Sequence, residues 1–146
     1  RSEPMSGVEE NPGFTWPIRV YYEDTDAGGV VYNANYLSFM ERARTEWLRS
    51  LGYEQDQLRE REGILFAVRH VTLDFLSPAR FNDLLRVDVT LSRRGGASLD
   101  FVQEVRRESD GALCCRGLVK IACVNAVTLR PNRIPEILLA EIADVL

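Results

Sequence analysis

Histidine and cysteine are scarce in this chain of 146 residues, which has one histidine and three cysteines. A Ser-His-Asp or Cys-His mechanism would need His70 as its base, yet His70 lies inside a predicted strand and no G-x-S-x-G nucleophile elbow is present. The pattern therefore favours a structural His70. A single histidine and scattered cysteines also lack the ligand spacing of a metal site, so no metal is expected.

Long apolar runs and nucleotide-binding motifs are missing as well. No stretch approaches the roughly 20 apolar residues of a membrane helix, and no signal-peptide pattern opens the chain. Neither a P-loop nor a G-x-G-x-x-G motif occurs. The net charge of −4 offers no general attraction for nucleic acid or anionic lipid, so any anion site requires local arginines. We expect a cytoplasmic protein without a membrane span or a nucleic-acid partner.

The three cysteines do not suggest a disulfide framework. Cys114 and Cys115 are neighbours in one apolar run, where adjacent side chains point to opposite faces of a strand, and Cys123 follows in the same run. An odd number of cysteines in an apolar setting indicates reduced, buried thiols.

The composition is typical of a single globular domain, with 45% hydrophobic and 27% charged residues. Residues 1–14 are rich in glycine, proline, glutamate and asparagine, which indicates a flexible N-terminal arm before a domain at 15–146. The position of Met5 suggests that residues 1–4 are an expression remnant.

Hydrophobic periodicity predicts an α+β domain with an antiparallel sheet. The predicted elements are a strand at 16–23, a helix from about 35 to 51, strands at 64–76, 85–92, 99–106 and 113–124, and a terminal helix at 136–146. Asn33 or Asn35 can cap the long helix, and Gly52 suits its C′ position. The long strands with few polar residues suggest a sheet edge used for dimerisation.

The turn before the long helix contains two carboxylates, Asp24 and Asp26, followed by Gly28 and Gly29. A carboxylate beside a helix N-terminus can attack a substrate or activate water, while unpaired helix N–H groups stabilise an oxyanion. The glycines let the backbone approach a ligand closely or adopt positive φ. A simpler interpretation is that both carboxylates only satisfy turn and helix N–H groups. The residues alone favour this simpler interpretation.

The same stretch resembles a known family of enzymes. Residues 19–32 (RVYYEDTDAGGVVY) resemble the signature of the hotdog-fold 4-hydroxybenzoyl-CoA thioesterase family. A narrower resemblance, to the acyl-CoA thioesterases associated with the Tol-Pal cell-envelope system, rests on residues 35–36 (NY), 41–44 (ERAR), 77–79 (SPA) and 94–99 (RGGASL). Together the similarity covers residues 16 to about 135.

The resemblance implies a five-stranded antiparallel sheet wrapped around one long central helix, assembled as a homodimer or homotetramer. It implies hydrolysis of short-to-medium or aromatic acyl-CoA without a bound cofactor, with acyl carrier protein as a candidate partner. Asp26 is the implied catalytic carboxylate, acting as a nucleophile that forms a mixed anhydride or as a general base on water. The backbone N–H of Asn33 is the implied oxyanion donor. The family usually has histidine or an aromatic residue at this position.

Six residues are implied to bind the substrate, namely Gly28, Gly29, Val30, Tyr32, Arg93 and Arg94. The two arginines stand beside a Gly-Gly turn and match a basic loop that grips the nucleotide of coenzyme A in family members, and guanidinium groups suit phosphate. Without the resemblance, a solvated hairpin tip explains them equally well.

Two other functions stay open. Hydration or dehydration of a thioester would pair His70 with a carboxylate beside an acyl pocket. A non-catalytic module would bind acyl-CoA or acyl carrier protein within an envelope or lipid-synthesis complex. Trp47 and Phe66 can line an acyl channel, although core packing is the simpler explanation. Glu41 can lie near the site, although pairing with Arg44 on the helix explains it more simply.

Overall fold

The computed structural model describes residues 13–145 of the chain. The strands are β1 Phe14–Arg19, β2 Ile64–Phe75, β3 Leu84–Arg94, β4 Ser98–Arg107 and β5 Leu113–Asn125, and the main helices are α1 Asn35–Ser50 and α2 Glu136–Val145. A 3₁₀ turn, Tyr22–Asp24, follows β1, and short helical segments occupy Gln55–Gln57 and Leu58–Glu62. Of the predicted N-terminal arm, residues 1–12 lie outside the described residues, and Phe14 belongs to β1. No helix in residues 13–145 combines the length and apolar character needed to cross a membrane.

The five strands form one antiparallel sheet in the order β1-β3-β4-β5-β2. Strands β3, β4 and β5 follow one another as a meander, while β1 and β2 occupy the two edges. The predicted α+β class and the implied five-stranded antiparallel sheet are therefore confirmed. The edge strand β2 has 12 residues, and it pairs on one side only, with β5.

Helix α1 packs on one face of the sheet, near its centre. Met40 lies directly over Gly117 of β5, where an added Cβ would come within 2.7 Å of the Met40 sulfur. Trp47, one of the buried residues of the same helix, meets Phe101 of β4 edge to face with a centroid distance of 5.2 Å. A side chain at position 117 would force α1 away from the sheet, because cores are close-packed.

The first strand differs from the prediction of 16–23. It ends at Arg19, because the chain turns at Tyr22–Asp24, where the N–H groups of Asp24 and Thr25 donate to the carbonyls of Tyr21 and Tyr22 at 3.0 Å. Alternation of apolar and polar residues continues through this turn, so the pattern alone overran the true end of the strand.

The predicted helix cap was also wrong. The N-cap position of α1 is Ala34, which has no side-chain cap, and the Asn35 side chain reaches a neighbouring carboxylate instead. At the other end, Gly52 follows the C-cap residue Leu51 with φ of 95°, which confirms the predicted C′ glycine.

The three cysteines are buried and unpaired, as predicted. Burial raises the pKa of the Cys115 thiol to about 12 and that of Cys123 to about 11, and it also raises the pKa of Cys114. Because thiolate is the nucleophilic form, these cysteines are poor nucleophiles at neutral pH.

Candidate active site

The two turn carboxylates occupy different environments. Asp24 is 3% exposed, and its oxygens accept hydrogen bonds from the Tyr21 backbone N–H at 2.8 Å and from the Asn35 side-chain amide at 3.0 Å. Asp26 is exposed, and its Oδ1 accepts the Gly28 N–H at 2.8 Å. The 3₁₀ turn that ends at Asp24 separates the directions of the two side chains. Asp24 therefore has the structural role, and the Asp26 carboxylate faces solvent.

A tight turn holds Asp26 in place. Its N–H donates to the Val30 carbonyl at 2.9 Å, and its carbonyl accepts the Gly29 N–H at 3.0 Å. Gly29 has φ of 80°, a region that glycine adopts without strain. At Gly28 an added Cβ would lie 3.3 Å from Asp26 Oδ1. Gly29 thus has the positive φ that the sequence predicted as one option, and Gly28 lies against the carboxylate of Asp26.

Backbone hydrogen bonds attach this turn to the segment that enters β3. The Val31 N–H donates to the Ala79 carbonyl at 2.8 Å, and Val30 forms an isolated bridge with Arg80. The Tyr32 N–H donates to the Asp24 carbonyl at 2.9 Å. Val30 is half-buried, whereas the Tyr32 side chain is exposed.

The start of α1 leaves two backbone amides without partners. The first turn is closed by the Asn35 N–H to the Tyr32 carbonyl at 2.8 Å and by the Tyr36 N–H to the Asn33 carbonyl at 3.3 Å. Within the described residues, the N–H groups of Asn33 and Ala34 have no hydrogen-bond acceptor. The hydrogen bond from the Tyr32 N–H to the Asp24 carbonyl joins the start of α1 to the turn that carries Asp26. Free N–H groups at a helix start favour negative charge.

The two predicted nucleotide-binding arginines lie elsewhere in the chain. Arg19 pairs with Leu84 at the start of β3, whereas Arg93 and Arg94 end that strand, roughly 30 Å away for an extended segment of this length. Arg94 donates to the Leu139 carbonyl of α2 at 3.3 Å. One chain therefore does not bring the arginines together with Asp26.

Arg93 belongs to a basic depression on the outer face of the sheet. Its lining residues are Arg69, His70, Arg93, Ser98, Asp100, Lys120 and Ile121. Across the strands Arg93 pairs with Asp100, Asp100 with Lys120, and Lys120 with His70. Several cations around one depression suit an anionic ligand.

Comparison with known proteins agrees with this geometry. The sequence model of the thioesterase-like superfamily matches residues 20–142 of this chain. The acyl-CoA thioesterase YbgC of Haemophilus influenzae is 44% identical over 85% of this chain and 90% of its own length. The acyl-CoA thioester hydrolase YbgC of Escherichia coli is 41% identical over 88% and 94%. The crystal structure of a probable thioesterase from Bartonella henselae has 36% identity and a TM-score of 0.78, covering 83% of this chain and 98% of that chain.

The chain belongs to the thioesterase-like superfamily. This membership agrees with the hotdog-like arrangement of the sheet and helices. Of the two interpretations of the turn, the simpler one, N–H satisfaction, accounts for both side-chain oxygens of Asp24 but uses only Oδ1 of Asp26, which accepts the Gly28 N–H.

The hydration alternative does not fit this member of the superfamily. Gly117 of β5 contacts Met40 of α1, so Lys120 and its cross-strand partner His70 point to the opposite face. His70 is exposed there, with Thr72 Oγ1 at 3.4 Å from Nε2. A histidine on the outer face cannot act beside the helix start, so this alternative is rejected.

A groove between α1 and β2, the α1–β2 groove, lies on the inner face. Its two pockets share Glu41, Arg44 and Val68, and their volumes are about 90 Å³ for the more enclosed pocket and about 270 Å³ for the more open one. The other lining residues are Leu37, Ser38, Val71 and Val119 in one pocket and Trp47, Leu48, Gln55, Phe66, Leu99, Phe101 and Ile121 in the other. Trp47 and Phe66 thus both line this groove, and Trp47 also packs in the core.

The expected pairing of Glu41 with Arg44 is not what the structure shows. Arg44 Nη1 donates to Gln103 Oε1 at 2.9 Å, and Gln103 is fully buried on β4. The sequence contained a signal for this contact, because Gln103 occupies an inward position in the alternating series Leu99, Phe101, Gln103 and Val105. A polar residue at such a position needs a buried partner.

Replacement of Asp24 is expected to destabilise the protein, whereas the same change at Asp26 is not. Asp24→Ala leaves the Tyr21 N–H and the Asn35 amide without a buried acceptor, which costs about 2–3 kcal/mol. Asp26→Ala removes one exposed hydrogen bond and should cost at most about 1 kcal/mol. Urea unfolding of both variants measures the difference. Equal losses would show that the two carboxylates do not have separate roles.

Proposed function

We propose that this chain hydrolyses acyl-CoA thioesters to free acid and coenzyme A, with short-to-medium or aromatic acyl groups and no bound cofactor. The observation that carries the proposal is an exposed Asp26 carboxylate in a turn that backbone hydrogen bonds tie to the start of α1, where two amides are unpaired within the described residues. Relatives that are 41–44% identical over most of the chain carry thioester hydrolysis in their names, so the enzyme class, thioester hydrolase, is established.

In this proposal Asp26 acts in one of two ways. As a nucleophile its carboxylate attacks the thioester carbonyl carbon, the carbon–sulfur bond breaks, and water then hydrolyses the mixed anhydride. As a general base it takes a proton from the water that attacks the same carbon. In both routes the Asn33 N–H donates to the developing oxyanion. Such a donor typically contributes about 2.7–4 kcal/mol to transition-state stabilisation.

The proposal includes a homodimer in which each site uses both chains. Strand β2 is a long edge, and Val68, Phe75 and Leu76 on it or just after it are 53%, 47% and 58% exposed. Two β2 strands paired antiparallel place opposite ends of the two sheets side by side. Asp26 of one chain then lies on the same side as Arg93 of the partner subunit, whose guanidinium binds coenzyme A phosphate. A tetramer would add a second interface.

We place the chain in the Tol-Pal-associated subfamily of these enzymes, in the cytoplasm, with acyl carrier protein as a further candidate partner. The domain is proposed to span 15–146, with α1 as the central helix around which the sheet wraps. Supporting this are the segments 41–44 and 77–79, which match the subfamily resemblance, and the close approach of Met40 to Gly117.

Asp26→Asn is expected to lower kcat/KM for acyl-CoA by at least about 100-fold, because it removes the nucleophile or base. Free-thiol release from a panel of acyl-CoA substrates measures the loss, and Glu23→Gln, an exposed acid in the preceding turn, is the matched control. Unchanged turnover in a folded Asp26→Asn variant would contradict the assignment of Asp26 as the catalytic carboxylate. Saturable acyl-CoA binding without thiol release by the wild type, measured by calorimetry, would support the non-catalytic alternative.

The Asn33 amide can be tested separately from its side chain. Asn33→Pro removes the N–H and should lower kcat by about 100- to 1,000-fold, whereas Asn33→Ala keeps the N–H and should change kcat by about threefold or less. Steady-state kinetics and urea unfolding of both variants distinguish a lost donor from a lost fold. Equal losses of kcat in two stable variants would assign the function to the side chain instead.

Arg93→Ala should raise KM for acyl-CoA by roughly tenfold, since one charged hydrogen bond to phosphate is lost, and should leave an N-acetylcysteamine thioester unaffected. Arg61→Ala, another exposed arginine, is the control. Mixing Arg93→Ala chains with Asp26→Asn chains tests the shared site. A heterodimer with one intact site restores the low KM, and failure to restore it contradicts a site built from two chains.

A further inference from the structure

Arg44 is held in the α1–β2 groove by a buried polar relay. Its Nη1 donates to Gln103 Oε1 at 2.9 Å, and Gln103 Nε2 donates to the Met40 carbonyl at 3.1 Å. Gln103 is 0% exposed and lies among apolar neighbours on the inner face of β4. A glutamine costs stability at such a position unless its hydrogen bonds are used. Both of its polar atoms are used here, and one of them fixes the guanidinium.

The charge of Arg44 is poorly compensated by the described residues. A guanidinium has five N–H donors, and the structure shows one of them bonded, to Gln103. Burial lowers the pKa of Arg44, and nearby Glu41 opposes this only in part. Glu41 is itself exposed, and no ion pair within 4.0 Å joins it to Arg44 in the part of the chain that the structure describes. A half-buried cation of this kind is stabilised by an anion.

The groove begins close to the proposed reaction centre. Leu37 and Ser38 line the same pocket as Arg44, and they lie about 6–8 Å along the helix axis from Asn33. Helix side chains lean toward the N-terminus, so the long Arg44 side chain reaches back in this direction. The rest of the groove is mostly apolar, with Val68, Val71 and Val119 in this pocket. An acyl group whose carbonyl lies at the helix start can therefore extend into the groove toward Arg44.

We propose that Arg44 selects acyl groups that end in a carboxylate, so that thioesters of dicarboxylic acids are preferred over unsubstituted acyl-CoA of equal length. This inference rests on the proposed thioesterase function and deepens it. A carboxylate accepts two parallel N–H bonds from a guanidinium, whereas a methyl end leaves the half-buried cation without a counter-charge. Arg44 is a specificity-determining residue that contacts the distal end of the acyl group, and Gln103 positions it.

The wild-type enzyme provides the first test, which requires no variant. Hydrolysis is measured for three CoA thioesters with the same carbon chain, namely hexanoyl, 6-hydroxyhexanoyl and adipoyl, and for matched sets of four to eight carbons. At the best length, kcat/KM for the carboxylate-ended substrate should exceed that for the methyl-ended one by about tenfold or more. Equal or better hydrolysis of the methyl-ended or hydroxyl-ended substrates at every length would overturn the inference.

Variants then assign the preference to Arg44. Arg44→Met keeps an unbranched apolar side chain and removes the charged guanidinium, so the ratio of kcat/KM for adipoyl-CoA over hexanoyl-CoA should fall by about tenfold. Hydrolysis of hexanoyl-CoA should rise, because the groove becomes more apolar. Arg42→Met, an exposed arginine on the same helix, should leave the ratio unchanged. Gln103→Leu should raise KM for adipoyl-CoA more than it lowers kcat, because the guanidinium is no longer held. A ratio that survives Arg44→Met assigns the preference elsewhere and overturns the inference.

The outcomes separate this inference from the proposed function. A wild-type enzyme that releases thiol from none of the substrates contradicts the thioesterase itself. A wild-type enzyme that hydrolyses hexanoyl-CoA well and adipoyl-CoA poorly leaves the thioesterase standing and rejects the role of Arg44.

Discussion

The buried carboxylate of Asp24 is the interaction on which the site depends. The carboxylate accepts hydrogen bonds from the Tyr21 N–H and the Asn35 side-chain amide, and the backbone carbonyl of Asp24 accepts one from the Tyr32 N–H. These bonds tie the turn after β1 to the start of α1. A buried carboxylate is tolerated only when such donors satisfy it. Because Asp24 satisfies the buried donors of the turn, the exposed Asp26 carboxylate is available for the proposed reaction, and the Asn33 amide is held at the start of α1.

The position of α1 on the sheet fixes how the start of this helix, with its unpaired amides, lies relative to the α1–β2 groove. Gly117 lets Met40 approach the centre of the sheet, and Gln103 binds the Met40 carbonyl from β4. A packed helix of 16 residues is rigid, so the unpaired amides at its start and Arg44 further along keep a fixed separation. The core contact thus sets the distance between the proposed oxyanion site and the proposed anchor for the acyl end.

Much of the sheet could be predicted because a period of two survives wherever one strand face is buried, as in β3 and β4. The turn could not, since spacing alone placed Asp24 and Asp26 alike and only a 3₁₀ turn separates their environments. The cap at Ala34 was missed because Asn35 bonds to a carboxylate eleven residues away in sequence. The separation of Arg93 from Asp26 follows from strand register, which composition does not report.

The exposure of Asp26 in a single chain sets the last constraint. Hydrogen bonds to an oxyanion are weak in water and strengthen as the local dielectric falls, so an exposed pair of Asp26 and Asn33 would be a poor catalyst by itself. On β2, the exposed Val68 and the half-buried Val71 both line the α1–β2 groove. A second copy paired on the β2 edge would exclude water both from the α1–β2 groove and from the proposed site formed by Asp26 and the Asn33 amide. The same dehydration makes an uncompensated Arg44 less stable, so the proposed closure of the site and the proposed preference for an anionic acyl end have one physical cause.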